Sequence, residues 1–213
     1  MDRSRIGIVI PAWNESKTIS AVVSAASRYG TPIVVDDGST DATAELAAAS
    51  GAVVVSHPAN RGYDGALNSG FRKAAEIGSE AIITVDADGQ HDPTLIQQFI
   101  DALDAGADVV IGVRSRRQRL AEHVFAAYTK MRYGIDDPLC GMKAYRTKVF
   151  EALGHFDSYG SIGTELALFA ARKRYRVTQL PFQVRERSGA SRFGRIISGN
   201  AKIFRAMGLA VWR

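Results

Sequence analysis

Short β-rich runs separated by helical patterns constrain this chain more than any other feature of its sequence. Five such runs stand at residues 5–10, 32–36, 52–56, 81–86 and 108–112. Between residues 93 and 104, Leu95, Ile96, Phe99, Ile100 and Leu103 recur with helical spacing, and Asp92-Pro93 supplies a cap followed by proline at the first helical position. Asn14 is placed to cap a helix running to residue 29, and Thr40 or Asp41 to cap the alanine-rich stretch that ends before Gly51. Strand and helix alternating in this way predict an α/β fold with a parallel central sheet flanked by helices. Ligands of such sheets collect outside the carboxyl ends of the strands, where helix N-termini also offer unpaired N–H groups.

The strand ends are therefore the candidate site, and they are acidic. The first run leads into Pro11-Ala12-Trp13-Asn14-Glu15, the second into Asp36-Asp37-Gly38-Ser39, and the fourth stops on Asp86-Ala87-Asp88. Five carboxylates on one rim repel one another unless a cation or a ligand's donors compensate. The Asp86 and Asp88 pair offers the hard oxygen ligands that Mg²⁺ or Mn²⁺ demands. Asp37 reads equally well as a turn residue closed by Gly38, with Ser39 or Thr40 capping a helix. Asn60 to Leu67 places Gly62 and Gly65 before a helix, allowing close backbone approach to a ligand with Arg61 in reach of phosphate; an ordinary glycine-rich turn has the same composition. No Gly-x-x-x-x-Gly-Lys-Ser/Thr loop is present and no Gly-x-Gly-x-x-Gly follows the first strand, which argues against an NTPase and a dehydrogenase.

With 213 residues the chain suits a single domain, and its 46% apolar and 23% charged content are those of a globular protein. A net charge of +5 favours polyanionic partners: nucleotide phosphates, nucleic acid or an anionic membrane surface. The arginine-rich stretch 114–119 has no interleaved aromatic, so nucleic acid is not the expected partner. No apolar stretch is long enough to span a bilayer, and the N-terminus leads directly into a strand rather than a signal peptide. A cytoplasmic location is expected, with peripheral contact at the cytoplasmic face of a membrane open. The single cysteine, Cys140, fits a reducing compartment and reads as a small turn residue. His57, His91, His123 and His155 lack the spacing of a metal site. Residues 195–213 read as a helix with Ile196, Ile197, Ile203, Phe204, Met207 and Val211 on one face and Arg195, Lys202 and Arg213 on the other. Such a face packs on a core or lies at an anionic membrane surface.

Taken in order, these motifs resemble a family 2 inverting glycosyltransferase of the GT-A fold, in the dolichyl-phosphate or polyprenyl-phosphate sugar synthase branch. The likeness is carried by 8–15, 34–41, the glycine-containing loop at 60–70, the metal motif at 86–93 and Gly112-Val113-Arg114, where Val113 departs from a Gly-Ser-Arg pattern. It implies a GT-A catalytic domain over 1–194 with the helix 195–213 part of it. It implies a UDP- or GDP-sugar donor, a Mg²⁺ or Mn²⁺ cofactor held by Asp86, Asp88 and Gln90, and Asp36 on the base or ribose. Pro11, Trp13, Glu15, Asp37, Arg61, Gly65 and Ala87 fall in the implied nucleotide-sugar segments. Arg185, Arg187, Ser191 and Arg192 match a phosphate-binding loop able to close over the donor. Asp88, Arg114 and Asp137 form the implied catalytic set, with Asp137 in the acceptor segment 136–145. Attack by a sugar hydroxyl needs a base, for which Asp137 is the candidate; a phosphate acceptor is already an anion, and Asp137 then only orients the site. Glu165 corresponds to an acidic position suited to holding an arginine. The chain between residues 119 and 133 is short for the branch, so a soluble or polysaccharide hydroxyl stays open beside a polyprenyl phosphate acceptor. A sugar-1-phosphate nucleotidyltransferase fits less well, since 11–15 is not its glycine-rich, arginine-bearing loop. A non-catalytic nucleotide-binding homologue is the alternative of another class.

Overall fold

A computed structural model describes residues 1–89, 92–115, 119–183 and 196–212, with side chains of the last stretch described over 200–209. Its elements in chain order are β1 (Ile6–Ala12), α1 (Ile19–Ala26), β2 (Thr31–Asp36), α2 (Thr43–Ala49), β3 (Val53–Ser56), α3 (Gly62–Glu76), β4 (Ala81–Thr84) and α4 (Thr94–Asp104), then β5 (Val109–Arg114), α5 (Leu120–Tyr133), β6 (Lys143–Arg146), α6 (Thr147–Leu153), α7 (Glu165–Arg172), β7 (Val177–Phe182) and α8 (Ile196–Trp212). The strands form one sheet in the order β3-β2-β1-β4-β6-β5-β7. All pairings are parallel except those of β6, which runs antiparallel between β4 and β5.

The five expected strands are all present, joined by β6 and β7. Both sheet faces are covered, as parallel sheets require. Ile6, Ile8 and Ile10 of β1 join one apolar cluster with Val23, Ile96, Phe99 and Leu103 from α1 and α4. Val9, between them, joins the opposite cluster with Leu67 and Phe71 of α3 and Phe125 of α5. Pro11 does not end β1 as its lack of an N–H suggests. The pairing with β4 covers only Ile6 to Val9, so at Pro11 that edge is free and no ladder donor is missed. β4 in turn stops at Thr84 rather than reaching residue 86, which leaves Asp86 and Asp88 in the turn beyond it.

Three expected caps differ in outcome. Asp92 accepts from the Thr94 N–H at 3.0 Å, and Asp41 accepts from the Thr43 N–H at 3.1 Å, opening α4 and α2 respectively. Asn14 caps nothing: α1 begins at Ile19, and Asn14 sits at φ 53° with its side-chain oxygen accepting from the Thr40 N–H at 2.8 Å. A tertiary tie between two strand-end loops thus replaces the local cap. In α8, Ile203 and Ala206 are buried and Asn200 accepts from the Ala121 N–H of α5 at 3.3 Å. The helix therefore packs on α5, with Phe204, expected on the apolar face, turned outward and 42% exposed.

Close packing of α3 on β1 needs a glycine at position 70, where a Cβ would stand 2.2 Å from Cγ1 of Val9. Gly70→Ala is expected to lower stability by about 1–3 kcal/mol through overpacking, read as a lower urea midpoint with an unchanged slope.

Candidate active site

Parallel β1, β2, β4 and β5 bring their carboxyl ends to one sheet edge, and antiparallel β6 starts there. The edge therefore collects residues 11–15, 36–41, 86–88, 114 and 137–143 from five separate stretches. Asp36 closes β2, buried, with its carboxylate accepting from the Ser39 N–H at 3.3 Å. Trp13 stands out into solvent, 43% exposed, and the Glu15 N–H donates to Oγ1 of Thr43 at 2.8 Å. Ser39 accepts from the Asn14 N–H at 2.9 Å, so it ties the first two loops together rather than capping α2.

Asp37 differs from its neighbour. Its carboxylate is buried and accepts from the backbone N–H groups of Arg61 and Gly62, both at 2.8 Å, and meets Nδ1 of His57 at 2.7 Å. Nε2 of His57 meets Oγ of Ser69 at 2.9 Å. Asp37 thereby fixes the start of α3, and the neighbouring Arg61 side chain is left exposed. Gly65, one turn on, has no room for a Cβ, which would lie 2.8 Å from Cβ of Arg61. Asp64 of the same turn accepts from the N–H groups of Ile162 and Gly163, at 3.1 and 2.7 Å, and so draws the 160–164 segment to the edge.

Asp86 rests on backbone. A Cβ at Gly141 would lie 2.6 Å from Oδ2 of Asp86, so any larger residue there would push that carboxylate aside. The Gly141 carbonyl is held by Oγ1 of Thr84, which donates at 2.6 Å and accepts from the Lys143 N–H at 3.0 Å. Lys143 is buried, and its Nζ donates to the carbonyls of Cys140 and Gly163, at 2.6 and 3.0 Å. Burial pulls its ammonium below the ordinary lysine range, partly offset by Asp137 and Asp86. Ala87 is buried, while Asp86 and Asp88 are partly exposed on either side of it. Among the described residues no group of three His, Cys, Asp or Glu side chains is arranged to hold a metal. Two carboxylates with hard oxygens fit a divalent ion whose other ligands come from a diphosphate and water.

Arg114, at the end of β5, grips Asp137 through both oxygens, with Nε to Oδ2 at 2.8 Å and Nη2 to Oδ1 at 2.9 Å; its N–H also donates to Oδ2 at 3.1 Å. Nη2 reaches Glu122 of α5 at 3.2 Å, and Glu122 also meets Arg119 at 3.4 Å. Burial opposes the charge on Arg114, but the hydrogen bonds and charge of Asp137 outweigh it and hold the guanidinium protonated above its usual range. Cys140 closes the turn that begins at Asp137, its N–H donating to that carbonyl at 3.3 Å; it is also buried, and burial pushes its thiol up to about 12. Among the described residues Glu165 holds no arginine. Its carboxylate accepts from the Ser158 N–H at 2.6 Å and meets Nε2 of His155 at 3.1 Å. Gln90, Arg185, Arg187, Ser191 and Arg192 lie outside the described residues.

The glycosyl transferase family 2 pattern matches residues 7–156, which takes in every strand end described above except that of β7. The chain belongs to this family. This family 2 glycosyltransferase is 32% identical to an undecaprenyl-phosphate 4-deoxy-4-formamido-L-arabinose transferase of Edwardsiella ictaluri, over 89% of the chain and 63% of that relative. It is also 32% identical to the polyprenol monophosphomannose synthase of Mycolicibacterium smegmatis, over 84% of the chain and 77% of that protein. Among solved structures, glucosyl-3-phosphoglycerate synthase from Mycobacterium tuberculosis in complex with Mg²⁺ and UDP superposes with a TM-score of 0.76 and 25% identity, over 96% of the chain and 80% of that structure.

Lys143 and Asp64 escaped the motif reading of this glycosyltransferase. The one available signal was a lysine inside the apolar run Cys140 to Tyr145, where a charge must be buried and partnered. Removing Arg114 strands Asp137, whose side chain is 1% exposed. Arg114→Ala is expected to cost about 3–5 kcal/mol in urea unfolding, part of which the double variant with Asp137→Ala recovers. Burial first, and Asp157 second, raise the Asp64 carboxyl from 3.8 to about 6. The folded state then holds its proton more tightly than the unfolded chain, so stability is full below 3.8 and falls as pH rises through about 6. Asp64→Asn is expected to flatten the stability profile across that window, checked by urea melts at stepped pH.

Proposed function

We propose that this glycosyltransferase moves a sugar from a UDP- or GDP-sugar to a polyprenyl phosphate, with Mg²⁺ or Mn²⁺ as cofactor and inversion at the anomeric carbon. The single observation that carries the acceptor is the Arg114–Asp137 pair. With both Asp137 oxygens held by a guanidinium, a base role would require breaking a buried bidentate ion pair. A phosphate acceptor needs no base, and among the described residues Nη1 of Arg114 has no acceptor of its own. Asp137 then positions Arg114, and Arg114 receives phosphate in the planar, two-pronged way its fork favours.

On the donor side, Asp36 receives the base or ribose, with Trp13 and Arg61 beside it. Asp86, Asp88 and Gln90 would hold the ion, which when bound supplies Lewis-acid stabilisation to the departing nucleoside diphosphate. An acceptor oxygen bonds to the anomeric carbon as the bond to the diphosphate breaks, and the electron pair leaves with the nucleotide. Arg185, Arg187, Ser191 and Arg192 are the segment assigned to cover the phosphates. The names of the two relatives support a lipid phosphate acceptor, and the Mg²⁺ and UDP in the superposed structure support the donor and the cofactor.

A surface placement follows from the same reading. No helix among the described residues is long and apolar enough to cross a membrane. Leu120, Val124, Ala127 and Met131 line one exposed stripe of α5 at spacings of four, three and four residues, with Leu120 72% and Met131 84% exposed. Phe204 is exposed on α8, one turn from the Asn200 contact to α5, and Lys202 and Arg205 flank it. An apolar stripe edged by cations suits the interface of an anionic bilayer. It lies on the helix that Glu122 couples to Arg114.

Calorimetric titration of UDP and GDP, with and without Mn²⁺, on the wild type and on Asp88→Ala tests the donor half. One nucleotide is expected to bind in a metal-dependent way that the variant loses; binding of neither would contradict the reading. Asp137→Asn tests the acceptor half. Because it keeps one oxygen for Arg114, transfer is expected to survive at a reduced rate. Abolition of transfer with Arg114 still in place would support the hydroxyl acceptor with Asp137 as base.

A further inference from the structure

Lys143 takes no part in the chemistry above, yet its placement is unusual. A lysine side chain is seldom buried without a carboxylate partner, because an unpaired charge in an apolar interior is costly. Lys143 is 3% exposed, and among the described residues its ammonium meets two carbonyls, those of Cys140 and Gly163, and forms no ion pair. Beyond burial, Cys140, Asp137 and Asp86 favour its charge and Arg114 opposes it. It enters the edge through β6, opposite Thr84 on β4 and Ile111 on β5, directly behind the peptide on which Asp86 rests. Its position is over-determined: one bond holds the 140–141 turn, the other holds the segment that Asp64 anchors at Ile162 and Gly163.

We propose that Lys143 is a fixed counter-charge that weakens the hold of Asp86 and Asp88 on a bare divalent cation, so that the ion enters together with the nucleotide diphosphate. This rests on the donor reading given above. Two carboxylates alone attract a free ion; a cation behind them cancels part of that field at short range and in a partly desolvated site. A diphosphate restores the negative potential and contributes its own oxygens to the ion's shell. Lys143 is thus a positioning and tuning residue, since it reaches the ion only through the field.

The sign of the effect separates this role from a purely structural one. Lys143→Gln keeps a donor for the carbonyls and removes the charge, and Lys143→Met removes both while keeping the length. Binding of Mn²⁺ alone to the full chain, followed by electron paramagnetic resonance of the free ion, is expected to tighten roughly three- to ten-fold in both variants. A structural role predicts the reverse, because misplaced carboxylates bind the ion less well. Unchanged or weaker Mn²⁺ binding in a variant whose circular dichroism matches the wild type overturns the proposal. The wild type supplies a reading that needs no variant to fold. In protein carrying ¹³C-labelled lysine and saturated with UDP, addition of Mg²⁺ is expected to move the Lys143 titration to lower pH, since ion and proton then oppose each other. Absence of that movement also overturns it. Metal-dependent UDP binding that persists while both tests fail sinks this proposal alone, whereas a wild type that binds no metal with or without nucleotide overturns the donor reading as well.

Discussion

The Asp86 carboxylate lies where a side chain at position 141 would be, and much of the site's shape follows from that contact. For Asp86 to reach the backbone of 141, β4 must stop at Thr84 and the chain before β6 must fold back across the strand end. Thr84 secures both sides, donating to the Gly141 carbonyl and accepting from the Lys143 N–H. An antiparallel strand inserted into a parallel sheet is what makes this possible. β6 enters from the edge where its neighbours exit, so 137–142 becomes a floor under the carboxylates rather than a distant loop. Asp137 thereby stands at one end of this short segment, and the Asp86 carboxylate lies against its other end at Gly141.

Two charged arrangements divide the work along that edge. The Arg114–Asp137–Glu122 network is an ion cluster whose geometry is bidentate and whose members are mostly buried, the kind that holds direction rather than merely charge. Lys143 is the opposite, a lone cation solvated by carbonyls. The first fixes the orientation of Arg114 at the end of β5. The second holds the 140–141 turn to the segment at Gly163. Neither costs the site its exposure, since Asp86 and Asp88 remain reachable.

Local chemistry made much of this legible in the sequence. Strand-end carboxylates and the Asp92 and Asp41 caps depend on neighbours two or three residues away, and they stand where the spacing places them. The five-strand alternation was readable because parallel strands buried on both faces are nearly continuous apolar runs. Misreadings occurred where the partner is remote. Asn14 is a sound cap by composition, yet Thr40, 26 residues on, takes its oxygen. Glu165 meets Ser158 and His155 rather than an arginine. Pro11 marks a strand end only if both neighbours extend past it, and one does not. Lys143 stayed hidden because nothing local tells a buried ammonium from a solvated one. Its burial is decided by Gly163, 20 residues away in the chain.

The central claim is transfer of sugar onto a lipid phosphate. The most direct measurement is incorporation of radiolabel from UDP- and GDP-sugars into organic-extractable material, with Mn²⁺ and vesicles carrying a polyprenyl phosphate. Label is expected in the lipid phase, dependent on the metal and on the phosphate of the acceptor. Label that stays in the aqueous phase with every donor, while a soluble hydroxyl acceptor is glycosylated, would contradict the account.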